Sequence, residues 1–201
     1  MTGLPGSAGE HDLQRALGFE GRAARFYREQ MLDRLNGRMA EFIGRQEMVF
    51  VSTADGGGEC DCSFRAGPPG FVHVLDEHTL TYPEYRGNGV MGSAGNITEN
   101  GHIGLLFVDF FTHLVGLHVN GTAALVDDAA LRREWPECPE PSIPGRRARF
   151  WVRVGVEEAY IHCSKHVPRL MRMPHSRQWG TDDVRAKGGD FFGAAEEKRP
   201  W

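Results

Sequence analysis

The sequence predicts a mainly β, α+β fold: six or seven antiparallel strands closing into a small barrel, with an N-terminal helix and short peripheral helices. Three observations carry this prediction. Short apolar runs, several of them alternating with a period of two, follow one another from residue 48 to residue 163. Turn residues separate them, not helices of a repeating length, which excludes a doubly wound parallel sheet. Helical periodicity is concentrated in residues 20–43, and strands joined in this way favour a closed or partly closed antiparallel barrel.

The elements follow in order. Residues 1–19 begin with Gly, Ser and Pro and are expected to be a loose leader. In residues 20–43, Phe26, Leu32, Leu35, Met39, Phe42 and Ile43 recur near a 3.6-residue period, and Asn36-Gly37 weakens the run, so one or two amphipathic helices are expected. MVFVSTA (48–54) and CDCSF (60–64) flank Asp55-Gly56-Gly57-Gly58, a hairpin signal, with Cys60, Cys62 and Phe64 expected on one face and Asp61 and Ser63 on the other, the two cysteines reading as small apolar residues facing the core. Gly67-Pro68-Pro69-Gly70 ends the second strand. FVHVL (71–75) and TLTY (79–82) are short strands, and the Gly- and Asn-rich 85–100 reads as a loop entering a short helix. GHIGLLFVDF (101–110) and HLVGLHVNGTAALV (113–126) form the next antiparallel pair. Asp127-Asp128 caps a brief helix, and residues 136–145, with four of the eleven prolines, connect irregularly to a long strand over 147–163. Residues 165–173 read as a helical turn interrupted at Pro168. Residues 174–201 read as a polar tail in which Trp179, Phe191, Phe192 and Trp201 are candidate docking points.

Composition narrows the function classes. The net charge of −4 supplies no general excess of cations for phosphate neutralisation, so neither nucleic acid nor an anionic membrane is an expected partner. No apolar stretch has the length of a membrane span, and the start lacks a basic segment followed by an apolar one. Four cysteines, at 60, 62, 138 and 163, do not make a disulfide scaffold. A cytoplasmic location is expected.

Three local arrangements have chemical content. Cys60-x-Cys62 joins two thiols at a spacing shorter than usual zinc-ligand spacings, and no metal site is expected. Cys163 lies among His162, Lys165 and His166, cations that would lower a thiol pKa, but without a recognisable catalytic motif. Gly87-Asn88-Gly89, with Gly92 and Gly95, is neither a P-loop nor a dinucleotide fingerprint. Arg86, Asn88, Ser93 and Asn96 among these glycines nevertheless suit an anion approached by backbone N–H groups.

Taken together in order, the runs at 61–110, GLHVNGTAAL (116–125) and EEAYIHCSK (157–165) resemble the pyridoxamine 5′-phosphate oxidase-like FMN-binding split-barrel family, and within it the bacterial flavin-nucleotide-binding group. The resemblance spans roughly residues 40–170. It implies a split β-barrel over 20–173 and a homodimer with two FMN sites at the subunit interface. Carried over by position, the cofactor-facing residues are Ser63, Phe64, Arg65, Pro83, Tyr85, Arg86, Gly87, Asn88, Ser93, Asn96, His162 and Lys165. The implied activity is an FMN-dependent oxidoreductase acting on a small molecule that the sequence does not name. No general acid or base is assigned, and no pyridoxal phosphate-binding signature is visible.

The chain departs from the family pattern at three places. Gly89-Val90 stands where many relatives carry a basic pair, His118-Val119-Asn120-Gly121 where they read R-V-N-G, and Gly101-His102 where they have proline. The superfamily also contains haem-binding members, and nine histidines make haem the alternative cofactor. His113, His118, His162, His166 and His175 are the candidate axial ligands. A deazaflavin, or no cofactor at all, is the third expectation.

Overall fold

The structure is a computed structural model that describes residues 3–199. Helix α1 (Ala8–Leu17) and helix α2 (Glu20–Gln30) precede a two-residue strand β1 (Met31–Leu32) and helix α3 (Gly37–Gly44). Strands β2 (Met48–Ala54), β3 (Cys60–Ala66), β4 (His73–Asp76) and β5 (Thr79–Glu84) lead to helix α4 (Gly92–Glu99). Strands β6 (His102–Asp109) and β7 (Val115–Val126), helix α5 (Asp128–Glu134) and strand β8 (Phe150–His162) complete the regular structure, apart from three short 3-10 turns.

The sheet is antiparallel throughout, in the order β3-β2-β6-β7-β8-β5-β4, with β1 paired to β8 at Tyr160 and Ala159. It forms a split barrel. The eighth strand, beyond the six or seven expected, is β1, which lies where the helical period of α2 ends. Alternation sets the two faces. Val49 and Val51 on β2, Ile103, Leu105 and Phe107 on β6, Leu117 and Val119 on β7, Val152 and Val154 on β8, and Leu80 and Tyr82 on β5 fill the interior. Phe42 and Ile43 of α3, Phe71 and Ile97 close over it. A smaller core of Leu131, Cys138 and Trp151 sits under α5, and Asp127 caps that helix by accepting from the N–H groups of Ala129 and Ala130.

Three expectations are corrected. The leader is not loose over residues 8–17: Ser7 Oγ accepts from Glu10 N at 3.2 Å while Ser7 N donates to the Glu10 carboxylate at 2.6 Å. This reciprocal cap nucleates α1 in a segment whose glycines read as disorder. Nor do Cys60 and Cys62 face the core: with Phe64 they share one face as expected, but it is the outer one. They point outward and are exposed, while Asp61, Ser63 and Arg65 face inward. An edge strand at the mouth of the barrel inverts the usual polarity, because α4 and β5 offer polar partners there. In residues 165–173, the expected helical turn is limited to a 3-10 turn at Ser164–His166.

Candidate functional site

Strand β3, at one end of the sheet order, approaches β5, the strand next to the other end, and this seam is joined by side chains. Arg65 Nε donates to Glu84 Oε2 at 2.8 Å, and both side chains are largely buried, at 22% and 14% exposure. Arg65 Nη1 donates to Ser63 Oγ at 3.0 Å. Ser63 Oγ is 2.8 Å from Ser93 Oγ, and Ser93 Oγ donates to Asp61 Oδ2 at 3.2 Å. A continuous polar chain therefore runs from α4 through β3 to β5. Beneath it the Tyr82 hydroxyl is buried without a hydrogen-bond partner. Burial pushes its pKa well above the ordinary phenol value, with Arg65 opposing the shift, so the group stays protonated.

A cleft of about 390 Å³ opens over this seam. Six of the sequence-predicted residues line it: Phe64, Arg65, Pro83, Tyr85, Arg86 and Gly87. Pro83 is tolerated in β5 because it lies beyond Thr81, the last residue to pair with β4. Tyr85 is half-buried, and burial raises its phenol pKa against the opposing charge of Arg146. The remaining predicted residues are placed differently. Ser63 and Ser93 belong to the polar chain behind the cleft. Asn96 donates to Thr53 Oγ1 at 3.1 Å and fastens α4 to β2. Asn88 accepts from Val90 N at 3.0 Å, within its own loop.

His162 and Lys165 lie far from these groups within one chain. Glu84 pairs with Phe150 at the start of β8, and His162 ends that strand, about 40 Å of strand path away. His162 Nδ1 is instead 3.0 Å from His118 Nε2, because the β7–β8 register brings the two strands' outward faces together. The His118 ring stacks on Tyr160 at 4.8 Å. Burial, and then the charge of His162, hold His118 below the usual imidazole range.

Of the other candidate histidines, His113 and His166 are exposed. His175 lines a neighbouring groove of about 580 Å³ with Met48, Phe111, Met171 and Met173; Arg177 and Trp179 border both this groove and the cleft. Among the described residues no three His, Cys, Asp or Glu side chains are grouped to hold a metal ion.

Sequence reasoning missed Glu84, which anchors Arg65, and the tail residues Arg177 and Lys187, which form the outer side of the cleft with Trp179, a residue expected to dock but at no stated place. Their signal was a cluster of cations and one aromatic in 177–187. Nothing local said where that cluster would dock. Trp179 packs edge-on against Tyr85 at 5.4 Å, whereas Phe191 and Phe192 are exposed and Trp201 lies outside the described residues.

The resident chemistry fits a phosphorylated planar ligand. Four cationic side chains (Arg65, Arg86, Arg177 and Lys187) line the cleft with three aromatic side chains (Phe64, Tyr85 and Trp179); Glu84 pairs with Arg65, and Asp182 with Arg86 and Lys187. The volume falls within the usual range of small-molecule sites, roughly 300–1,000 Å³.

Several solved structures are similar to this chain. HupZ from Group A Streptococcus is 21% identical, covering 68% of this chain and 99% of that one, with a TM-score of 0.46. General Stress Protein 26 from Bacillus anthracis is 14% identical over 66% of this chain and 94% of that one, with a TM-score of 0.43. HutZ, the heme storage protein from Vibrio cholerae, is 15% identical over 64% and 94%, with a TM-score of 0.42. No curated protein matches the sequence. The family model for pyridoxamine 5′-phosphate oxidase matches residues 35–163, well over half of the sequence and all of the barrel strands from β2 to β8. This chain belongs to the pyridoxamine 5′-phosphate oxidase family.

Proposed function

We propose that the chain is an FMN-binding oxidoreductase that works as a homodimer, with the cofactor in the cleft over the β3–β5 seam. The observation that carries this reading is the grouping of four cations, Arg65, Arg86, Arg177 and Lys187, with three aromatic side chains around one cleft. A flavin phosphate requires charge-assisted hydrogen bonds and its ring requires flat apolar surfaces. When bound, FMN supplies the hydride-accepting chemistry. The chain's own residues bind and orient it. Arg65, fixed by Glu84 and Ser63, presents a pre-positioned guanidinium. Tyr85 keeps its phenolic proton at neutral pH and donates it in a hydrogen bond. Phe64 and Trp179 limit water on either side.

The dimer is supported by the outward face of the sheet. Register places Phe64, Phe50, Leu106, His118 and Tyr160 in one row across five strands. Phe64 ends that row at the cleft, so a second copy covering the row would bring its own β8 terminus, with His162 and Lys165, towards the cofactor. The test is titration with FMN alongside sedimentation of wild type and Leu106→Glu. The expected result is saturable binding with flavin bands near about 375 and 450 nm and a dimer that the substitution dissociates. A titration with no binding overturns the cofactor assignment.

One observation favours haem as a second reading. The groove holding His175 combines three methionines and Phe111 with Arg172 and Arg177, a set suited to an apolar macrocycle with carboxylate tails. Hemin added in parallel would then give a Soret band near about 410 nm that His175→Ala removes.

A further inference from the structure

The chain after β8 is tied to the barrel at successive points. Leu170 N donates to Phe110 O at 2.8 Å, and the Arg172 guanidinium lies 4.6 Å from the centre of the Phe111 ring and 3.2 Å from Glu47. Arg177 Nη1 donates to Gly67 O at 3.0 Å. Trp179 then meets Tyr85, with Arg146 lying 5.7 Å from its ring centre. Two glycines interlock at this point. A β-carbon on Gly145 would overlap the Trp179 carbonyl, and one on Gly180, whose φ is +71°, would stand 2.8 Å from Gly145 Cα. Two segments far apart in sequence thus both carry the one residue type that permits this approach.

The docking has a chemical consequence. Asp182 forms an ion pair with Arg86, and its other oxygen lies 3.7 Å from Lys187. Arg86 is one of the cations facing the cleft, and its pair with Asp182 is solvent-exposed, at 47% and 62%. Such a pair is held weakly, whereas a phosphate monoester engages a guanidinium through two charge-assisted hydrogen bonds.

We propose that residues 177–187 are the outer wall of the cleft: Arg177, Trp179 and Lys187 contact the ligand, and Asp182 is a resident counter-ion that the ligand's phosphate displaces from Arg86. The ligand class is a planar ring bearing a phosphate monoester, and for the ring the inference rests on the flavin reading above. Two results follow. The wall favours the phosphorylated over the unphosphorylated ring, because only the former replaces Asp182. Ligand binding also loosens residues 181–187, whose attachment at Arg86 is lost.

Affinities of the full chain for FMN and riboflavin, measured for wild type, Asp182→Asn, Trp179→Leu and Trp179→Phe, test the wall. Asp182→Asn should bind FMN about three- to fivefold tighter with riboflavin unchanged. Trp179→Leu should weaken both about tenfold, and Trp179→Phe should restore most of the loss. Unchanged affinity in Trp179→Leu, or an Asp182→Asn that leaves FMN unaffected or tightens both flavins equally, overturns the proposal.

Hydrogen exchange with inorganic pyrophosphate at millimolar concentration separates the two readings. Faster exchange across 181–187 in a wild type that ignores both flavins removes the flavin assignment and retains the counter-ion exchange. Unchanged exchange, in a protein that does bind FMN, removes the counter-ion exchange alone.

Discussion

Replacing Arg65 with methionine probes the seam that makes this site. The Arg65 guanidinium donates to Glu84 at 2.8 Å and to Ser63 at 3.0 Å, and the two charged side chains retain 22% and 14% exposure. Breaking a buried pair from one side leaves the other charge uncompensated and costs about 3–5 kcal/mol. Residual solvent contact puts this pair at the lower end, about 3 kcal/mol. For a chain of this length, roughly 2–4 °C of melting temperature is lost per kcal/mol, so Arg65→Met should melt about 6–12 °C below wild type. Removing both charges is a different perturbation. Arg65→Met/Glu84→Met closes the seam with apolar side chains and should recover to within about 1 kcal/mol of wild type. Urea unfolding of wild type, both single variants and the double variant gives the coupling energy directly. A single-variant cost under about 1 kcal/mol, or a double variant less stable than Arg65→Met, refutes the argument that this pair joins β3 to β5.

Two further outcomes follow from named groups. His73 packs between Trp135 and Trp151, at ring distances of 4.9 and 5.9 Å, and burial holds its pKa below 6.5. The unfolded chain takes up a proton near 6.5 that the native state resists, so this contribution is complete above that pH and is lost as pH falls towards the lower native value. His118 shifts in the same direction. The melting temperature should therefore decline between about pH 7.5 and 5.5, and His73→Phe should flatten the decline; an unchanged slope counts against the assignment. At Gly121, where the β7–β8 register shifts, a β-carbon would overlap the Gly155 carbonyl and stand 3.2 Å from Glu157 N. Only backbone could yield, so Gly121→Ala should cost about 1–3 kcal/mol or more. Gly104→Ala, whose β-carbon meets the Asn120 side chain at 3.4 Å, should cost less, and equal melting temperatures would contradict this account.

Much of the strand plan was legible because its signals are local. MVFVSTA forms a strand at its expected limits, and Asp55 turns the chain as expected, its side chain accepting from Gly57 N and Glu59 N. The brief helix after Asp127 also stands where its capping residue put it. What misled was polarity on β3: alternation distinguishes two faces but does not say which is inside. Asp61, Ser63 and Arg65 face inward because Ser93 and Glu84 wait there, and both are distant in sequence.

Local sequence marked the segments that become β2 to β8, the turns between them and the family they compose, since two-residue alternation, turn residues and helix caps act over a few neighbours. The tertiary structure alone decided what those segments build. Barrel closure set Arg65 against Glu84, β7–β8 register set His118 against His162, and the return of the tail set Trp179 and Asp182 over Tyr85 and Arg86. Each of these meetings joins residues 19 to 96 positions apart. At such separations the partner is chosen by the packing of the whole core and no longer by the local chain.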